Sequence, residues 1–339
     1  MKKTFVKDIR EKDHVTGPFL ITKKEAGISK SGKPYLNLRI MDSTGELEAR
    51  VWESAEEIGK NFQKNDVVSI KGFAVAYQGG VQVNISSAAP VSESEYSIRD
   101  FLPCSPKDPV KMMAEVESII SRVEDRHLKG LLSSIFNDAE VRERFIIAPA
   151  AKSMHHPYLS GLLEHVLSIC GLAEKVVDHY KTGINKDLLM TGALLHDIGK
   201  IYELSYKRSF EYTDEGRLLG HITIGVELIE EKIRLQKDFP RELAVLLKHM
   251  LLSHHGHLEF GSPKRPKTIE AIMLYYLDDM DAKINTVQSL VNNNEDGASW
   301  TAYQRIFERY IYKGSFKKEE EKPEEQKADG KKNGMPSLF

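Results

Sequence analysis

The sequence lacks the features that mark a secreted or membrane protein. Its 339 residues include only two cysteines, Cys104 and Cys170, which excludes a framework of several disulfide bonds. No apolar run approaches the roughly 18 residues of a membrane-spanning helix, and the charged N-terminus lacks the apolar stretch of a secretory signal. We therefore expect a protein of the reducing cytoplasm that does not enter a membrane.

The sequence also lacks the strong positive charge of a general nucleic-acid-binding protein. Its formal net charge is −2, which excludes a uniformly basic surface. Residues 1–90 depart mildly from this balance, since they hold 14 Lys and Arg against 11 Asp and Glu. This N-terminal part permits an anionic partner without requiring one.

The N-terminal part contains short strand-like segments separated by turn signals. Leu36, Leu38 and Ile40 alternate with polar residues, which is typical of a strand with one buried face. A helical segment, residues 54–62, separates the third strand-like segment from the fourth. Five strands with a helix after the third is the order of an OB-fold barrel, so residues 1–90 are predicted to form an all-β OB-fold domain.

The pattern changes to helix after a segment rich in serine, proline and acidic residues. Residues 91–109 are predicted to be a linker, and residues 110–314 an all-α domain, because apolar residues recur there at helical spacing. Residues 315–339 are rich in Lys and Glu and nearly devoid of apolar side chains, which predicts a disordered tail. The predicted fold is multidomain, with an all-β barrel followed by an all-α domain.

Histidines and aspartates interrupt the apolar faces of the predicted helices. His165 lies within one such helix, His196 and Asp197 end another, and His254 and His255 close a further one. A strongly polar side chain on an apolar face is costly unless it has a partner. Imidazoles and carboxylates that converge from several helices suit borderline or hard divalent cations, and the lack of nearby cysteines argues against structural zinc.

Each residue alone has an ordinary explanation, because a single buried histidine is more often a hydrogen-bonded core residue than a ligand. The combination is more specific. His-Asp-Ile-Gly-Lys at residues 196–200 ends an apolar helix, with His165 about 30 residues before it and Asp278 about 80 residues after it. Over residues 150–290 this arrangement resembles the HD-domain superfamily of metal-dependent phosphohydrolases.

The resemblance implies a role for each matching residue. It implies metal ligands at the positions that define the superfamily and at additional histidines of its two-metal members. These ligands are His165, His196, Asp197, His221, His254, His255 and Asp278. It also implies two catalytic residues, namely Asp197, whose carboxylate can bridge two ions, and Lys200, which contacts the substrate phosphate.

The helical register near Asp278 leaves its assignment open. Asp279 or Asp281 could take its place, and Asp281 lies about one turn away, where it could instead support a ligand. His155 and His156 precede the helix of His165, as expected for a loop near the mouth of the site. The implied cofactor is a pair of divalent cations, with Mn²⁺ first and Co²⁺, Mg²⁺, Fe²⁺ and Zn²⁺ as alternatives.

The order of the two domains makes the resemblance more specific, from a superfamily to one family. An OB-fold followed by an HD domain is similar to the YhaM family of bacterial 3′-to-5′ exoribonucleases. The matching segments are residues 30–36, 42–45, 192–200, 212–216, 219–221, 252–256 and 261–263. The resemblance implies removal of nucleotides from the 3′ end of single-stranded RNA, with single-stranded DNA as a further substrate and self-association left open.

Aromatic and basic residues of the N-terminal domain fit such a partner, because aromatic faces beside a basic groove bind single strands without reading sequence. Tyr35 and Arg39 lie on the strand face opposite the alternating apolar residues. The predicted nucleic-acid contacts are Lys33, Tyr35, Arg39, Trp52 and Tyr77. Trp52 and Phe73 could instead fill the barrel core, and the core is the favoured place for Phe73.

Other functions stay open at this point. A cyclic-dinucleotide phosphodiesterase shares the additional histidines, but its Gly-Tyr-Pro signature is absent, since residues 256–263 read Gly-His-Leu-Glu-Phe-Gly-Ser-Pro. Nucleotide triphosphohydrolases of the superfamily fit less well because many use one metal ion. A non-catalytic OB-fold nucleic-acid-binding protein with a decayed HD domain is the alternative of another class, and the presence of every proposed ligand argues against it.

Overall fold

The structure is a computed structural model that describes residues 4–152, 156–292 and 298–314. The chain divides into two compact units, Met1–Thr286 and Val287–Phe339. The first unit contains a barrel and a set of packed helices, so the predicted multidomain fold is confirmed. Among the described residues no helix is both long and apolar enough to cross a membrane. The predicted disordered tail, residues 315–339, lies outside the described residues.

The N-terminal domain is a closed barrel of five strands. In chain order these are β1 (His14–Ile28), β2 (Pro34–Asp42), β3 (Gly45–Val51), β4 (Val67–Tyr77) and β5 (Gly80–Pro90), with the short helix α1 (Ala55–Gly59) after β3. Around the barrel the order is β1-β2-β3-β5-β4, and β4 pairs with β1. Only the β3–β5 pair is parallel among these neighbours. Leu36, Leu38 and Ile40 point into the barrel core, and the predicted OB-fold is confirmed.

The C-terminal domain is helical. Its helices are α2 (Pro109–Arg122), α3 (Arg126–Phe136), α4 (Ala139–Ile147), α5 (Gly161–Tyr180), α6 (Lys186–Leu195), α7 (Lys200–Glu203), α8 (Asp214–Arg234), α9 (Arg241–Ser253) and α10 (Ile269–Asn292). A two-stranded hairpin, β6 (Leu204–Ser205) and β7 (Glu211–Tyr212), lies between α7 and α8. Asp108, Asp125 and Asp138 cap α2, α3 and α4 by accepting from backbone N–H groups, which explains where these helices begin.

The segment predicted as a linker is packed against both domains. Phe101 and Leu102 are buried in one apolar cluster with Leu20 and Val67 of the barrel and Leu159 of the helical domain. Burial of a large apolar side chain contributes roughly 1.5–3 kcal/mol. The segment therefore holds the two domains together rather than merely spanning the distance between them.

A charged contact adds to this apolar one. In the turn between β6 and β7, the guanidinium of Arg208 lies 2.6 Å from Asp66 of the barrel and 2.9 Å from Glu93. Because these side chains are substantially exposed, the pairs contribute little to stability. They still restrict how the barrel sits against the hairpin.

Candidate metal centre and nucleic-acid interface

The candidate metal centre lies at the end of α6, a helix that is buried along most of its length. Every residue of α6 from Leu188 to Leu195 is buried. Gly192 permits close packing with α9 and α10, since a Cβ there would lie 2.2 Å from the Cε of Met250. An apolar helix buried on all sides delivers the residues that follow it, His196 and Asp197, to the interior of the domain.

The carboxylate of Asp197 faces histidines on two sides. Its Oδ2 lies 3.3 Å from Nε2 of His196 and 3.6 Å from Nε2 of His165. Its Oδ1 lies 3.4 Å from Nε2 of His221 and 3.5 Å from Nε2 of His254. This one carboxylate therefore turns each of its oxygens toward a different histidine group and could offer a ligand atom on both sides.

The candidate ligands fall into two groups, and within each group the donor atoms lie within 4.8 Å of one another. One group consists of His165, His196 and Asp278, and the other of Asp197, His221, His254 and His255. The structure thus brings together every residue that the sequence suggested as a metal ligand, from five separate helices and the turns that follow them.

The histidines present a defined nitrogen to the centre. The Nδ1–H groups of His196 and His254 donate to the backbone carbonyl three residues earlier, at 2.9 and 2.7 Å. The Nδ1–H of His255 donates to the carbonyl of Phe260 at 2.8 Å. Because a carbonyl oxygen can only accept, Nδ1 carries the proton, and in the neutral ring Nε2 keeps its lone pair.

Two carboxylates outside the ligand set hold the remaining histidines. Oδ2 of Asp281 accepts from Nδ1 of His165 at 2.7 Å, and Oε1 of Glu203 accepts from both Nδ1 and the backbone N–H of His221 at 3.0 Å. The supporting role considered for Asp281 thus has the required geometry. The sequence prediction did not include Glu203, although an acidic residue among Ile201, Tyr202 and Leu204 is a signal that could have indicated it.

The register of α10 separates the three neighbouring aspartates. Oδ1 of Asp278 lies 3.2 Å from Nε2 of His165, inside the cluster. Asp279 instead pairs with Lys283 on the helix surface at 2.7 Å, and Asp281 lies behind His165. The geometry therefore favours Asp278 as the ligand.

His156 lies next to this group. It is buried, and its Nε2 lies 3.1 Å from Oδ2 of Asp281. His156 therefore contacts Asp281, the carboxylate that accepts from His165, and is not itself one of the proposed ligands. His155 lies outside the described residues.

Buried polar atoms at the centre lack partners within the described chain. They are Oδ1 of Asp197 and Nε2 of His196, His221 and His254. Leaving such an atom unsatisfied costs about 1–3 kcal/mol. Imidazole lone pairs that face carboxylate oxygens also repel them unless positive charge lies between. Nitrogen and oxygen donors of this kind therefore fit divalent metal ions.

The charge state of the histidines differs across the cluster. Burial lowers the pKa of His165, but Asp278 and Asp281 outweigh burial and raise it to about 9. Burial, together with His254 and His221, lowers the pKa of His255 to about 3. These opposite shifts favour the positively charged form of His165 and the neutral form of His255 at neutral pH.

Lys200 lies beside the bridging carboxylate. Its Nζ is 2.6 Å from Oδ2 of Asp197, and both side chains are buried. Although burial lowers the pKa of Lys200, the charge of Asp197 raises it overall, so the ammonium stays charged. The sequence suggested a phosphate contact, and the structure puts this cation next to the metal ligands.

A second candidate site lies on the barrel. Tyr35 and Trp52 are stacked, with ring centroids 5.1 Å apart and an interplanar angle of 30°. The guanidinium of Arg50 lies 5.8, 5.3 and 4.8 Å from the ring centroids of Tyr35, Trp52 and Tyr77. Trp52 is 42% exposed and Tyr77 41%. A solvent-accessible group of rings around a cation can stack with the bases of a single strand.

The other residues suggested for this interface lie near these rings, and Lys33 lines a surface groove together with Trp52. The guanidinium of Arg39 is held by Glu48 at 2.6 Å and Glu46 at 3.5 Å, and Arg50 is the cation among the rings. Lys33 is exposed in the turn between β1 and β2. The expectation that Phe73 fills the core is wrong, because its ring contacts His14 on the outside and is 38% exposed.

Comparison with known proteins assigns a family to each of the two domains. The HD domain family matches residues 162–283, and the OB-fold nucleic acid binding domain family matches residues 20–91. A protein of Bacillus subtilis (strain 168) named 3′-5′ exoribonuclease YhaM is 36% identical over 301 residues, which cover 88% of this chain and 94% of that protein. The chain belongs to the YhaM family. The resemblance inferred from the sequence is thereby confirmed.

A second relative has the same name. The 3′-5′ exoribonuclease YhaM of Shouchella clausii (strain KSM-K16) is 34% identical over 305 residues, which cover 90% of this chain and 94% of that protein.

Two solved structures show weaker similarity. The second OB-fold domain of replication protein A from Methanococcus maripaludis has a TM-score of 0.23 and 14% identity, covering 27% of this chain and 97% of that domain. The mitochondrial single-stranded DNA binding protein Rim1 of S. cerevisiae has a TM-score of 0.21 and 12% identity, covering 24% of this chain and 94% of that protein. Membership of the YhaM family rests on the two relatives.

Proposed function

We propose that this chain is a metal-dependent 3′-5′ exoribonuclease that hydrolyses the phosphodiester bonds of single-stranded RNA with water. The observation that carries the proposal is Asp197, whose two carboxylate oxygens face separate histidine groups in a buried centre. The relatives named as exoribonucleases share nearly the whole chain, including both domains. Single-stranded DNA is the second substrate to test.

Two divalent cations are the proposed cofactor, with Mn²⁺ the first candidate. When bound, such ions lower the pKa of water and compensate the negative charge of the phosphodiester. His165, His196 and Asp278 would hold one ion, and His221, His254 and His255 the other, with Asp197 between them. These imidazole and carboxylate donors also suit Co²⁺, Fe²⁺ and Zn²⁺, whereas Mg²⁺ prefers oxygen.

The chain's own residues have three tasks in this reaction. Asp281 and Glu203 keep His165 and His221 in one orientation by accepting their Nδ1 protons. Lys200 holds a positive charge in a buried place, where it stabilises negative charge more strongly than it would in water. The rings around Arg50 bind the strand outside the centre.

The direct test follows RNA labelled at either end. The full-length protein and Mn²⁺ are incubated with two single-stranded RNAs of one sequence, one labelled at the 5′ end and the other at the 3′ end. We expect the 5′-labelled strand to shorten stepwise, while the 3′-labelled strand releases labelled mononucleotide from the start. Chelation of the metal should stop both reactions.

Two aspartate variants form a matched pair, in which Asp197→Ala is the test and Asp279→Ala is the control. Asp197→Ala should lose activity by more than the roughly 10–100-fold that loss of an outer-shell partner costs. Asp279→Ala should retain it, because Asp279 only pairs with Lys283 at the surface. Internal fragments from both labelled strands would instead indicate an endonuclease. Turnover of cyclic dinucleotides or nucleoside triphosphates without turnover of RNA would contradict the proposal.

A further inference from the structure

Aromatic rings form a continuous row beside the metal centre. The ring centroids of Phe260 and His257 are 5.5 Å apart, those of His257 and Tyr275 5.7 Å, and those of Tyr275 and Tyr276 4.7 Å. The row runs from the turn after α9 to α10. Phe260 is 65% exposed and Tyr276 62%. Aromatic side chains left in water at a site of this kind indicate a bound partner.

The row is connected to the metal centre by hydrogen bonds of His255. The Nδ1–H of His255 donates to the carbonyl of Phe260 at 2.8 Å, and its backbone N–H donates to Oγ of Ser262 at 3.1 Å. The ring of Tyr275 packs against Gly256, where a Cβ would lie 2.2 Å from Cε2 of the ring. His257 of the row therefore lies two residues from the candidate ligand His255, and the backbone sets its position relative to the centre.

Basic residues follow the row in the sequence. Lys264, Arg265 and Lys267 are exposed, and within the described parts of the chain none of them pairs with a carboxylate. Glu259 is the acidic residue of the same turn. Phosphates of a strand would therefore meet a net positive charge here, and a row of rings beside such charge is what binds single strands without regard to sequence.

We infer that Phe260, His257, Tyr275 and Tyr276 form a track on which the bases next to the 3′ end of a single strand stack. This inference rests on the proposed function, because it takes a nucleotide strand as the molecule that reaches the metal centre. The track belongs to the helical domain and is separate from the rings around Arg50 on the barrel. It gives the strand a second attachment point immediately beside the scissile bond.

The test compares four variants of the full-length protein, three in the turn after α9 and Arg265→Ala in the basic segment that follows. Phe260→Leu keeps an apolar side chain but removes the ring, Phe260→Trp keeps a ring, and Leu258→Ala is the control in the same turn, where Leu258 is 56% exposed. Binding of a fluorescent single-stranded RNA of about eight nucleotides, a length that one OB-fold can also cover, is measured by anisotropy in EDTA, which prevents turnover.

We expect Phe260→Leu to weaken binding about tenfold, as loss of one stacked base does. Phe260→Trp and Leu258→Ala should bind like the unchanged protein. Arg265→Ala should reduce the slope of log Kd against log salt by roughly one phosphate contact. Equal binding by Phe260→Leu and the unchanged protein would overturn the inference. So would an equal loss in Leu258→Ala, because the shape of the turn would then be the cause.

The outcomes separate this inference from the proposed function. If the unchanged protein with Mn²⁺ fails to shorten RNA, yet Phe260→Leu binds tenfold more weakly, the track stands and the exoribonuclease proposal fails. If RNA is shortened, and Phe260→Leu binds and shortens it like the unchanged protein, the exoribonuclease proposal stands and the track fails.

Discussion

Single residues behind the ligands decide how the histidines of this centre are oriented. His165 and His221 donate to carboxylates, Asp281 and Glu203, whereas His196 and His254 donate to backbone carbonyls. A carboxylate behind an imidazole also raises its basicity as a ligand. The two carboxylate-supported histidines belong to different halves of the cluster, so each proposed ion would have one ligand of this kind.

Glu203 should therefore matter for metal affinity. We expect Glu203→Ala to weaken Mn²⁺ binding by about 10–100-fold, because His221 loses the acceptor for its Nδ1 proton. Glu203→Gln should lose less, since its amide oxygen can still accept. The measurement is a metal titration, with Glu227→Ala on the exposed side of α8 as the control. Unchanged affinity in Glu203→Ala would refute this role.

Lys200 should matter for turnover more than for metal content. We expect Lys200→Ala to lower the rate at saturating Mn²⁺ by roughly 10²–10³-fold, as does removal of a group that stabilises transition-state charge. Metal content, measured by elemental analysis, should change little, because an ammonium group is no metal ligand. Loss of bound metal would show that Lys200 serves mainly to support Asp197.

At the scale of an element, a break in α8 directs a ligand into the centre. Gly220 has φ 73° and ψ 154°, which lie outside the helical region, and His221 follows at once. This backbone conformation is essentially restricted to glycine. The chain can therefore enter the second part of α8 with His221 turned toward Asp197 and Glu203.

Substitution at this break should destabilise the protein. We expect Gly220→Ala to lower the free energy of unfolding by about 1–3 kcal/mol, the cost of a residue held in such a region. Gly171→Ala is the control, since Gly171 lies within α5 with open space around it, and a helical alanine stabilises by roughly 0.5–1 kcal/mol. Urea unfolding measures both. Equal unfolding of Gly220→Ala and the unchanged protein would show that the break tolerates a side chain.

At the scale of the whole molecule, the two candidate sites lie in different domains. The rings around Arg50 belong to the barrel, while the metal centre lies among the helices. Phe101 and Leu102 bury apolar surface of both domains in one cluster. An RNA strand bound to the barrel is therefore bound to a domain that is in direct contact with the domain of the metal centre.

This separation predicts a selective effect of Trp52. We expect Trp52→Ala to reduce activity on long single-stranded RNA at limiting substrate by about tenfold, because one stacked base contributes about 1–3 kcal/mol. Hydrolysis of bis-p-nitrophenyl phosphate should stay unchanged, since it involves the metal centre alone. Phe73→Ala, on the barrel but in contact with His14, is the control. Equal loss on both substrates would mean that Trp52 supports the fold.

The sequence by itself determined the elements and the chemistry of the candidate site. Alternation of Leu36, Leu38 and Ile40 predicted a barrel strand, because side chains of a strand point to its two faces in turn. A His-Asp pair at the end of an apolar helix predicted a buried polar centre, because such groups need partners there. Both signals are local, and the chain carries them regardless of how its elements pack.

Only the tertiary structure decided which residues meet. It put Asp278 in the cluster and Asp279 at the surface, and it made Arg50 the cation among the rings. It also brought Glu203 behind His221. These contacts depend on the rotation of a helix, the pairing of a strand and the direction of a turn. Packing of the whole domain sets these three quantities, and spacing along the chain leaves them undetermined.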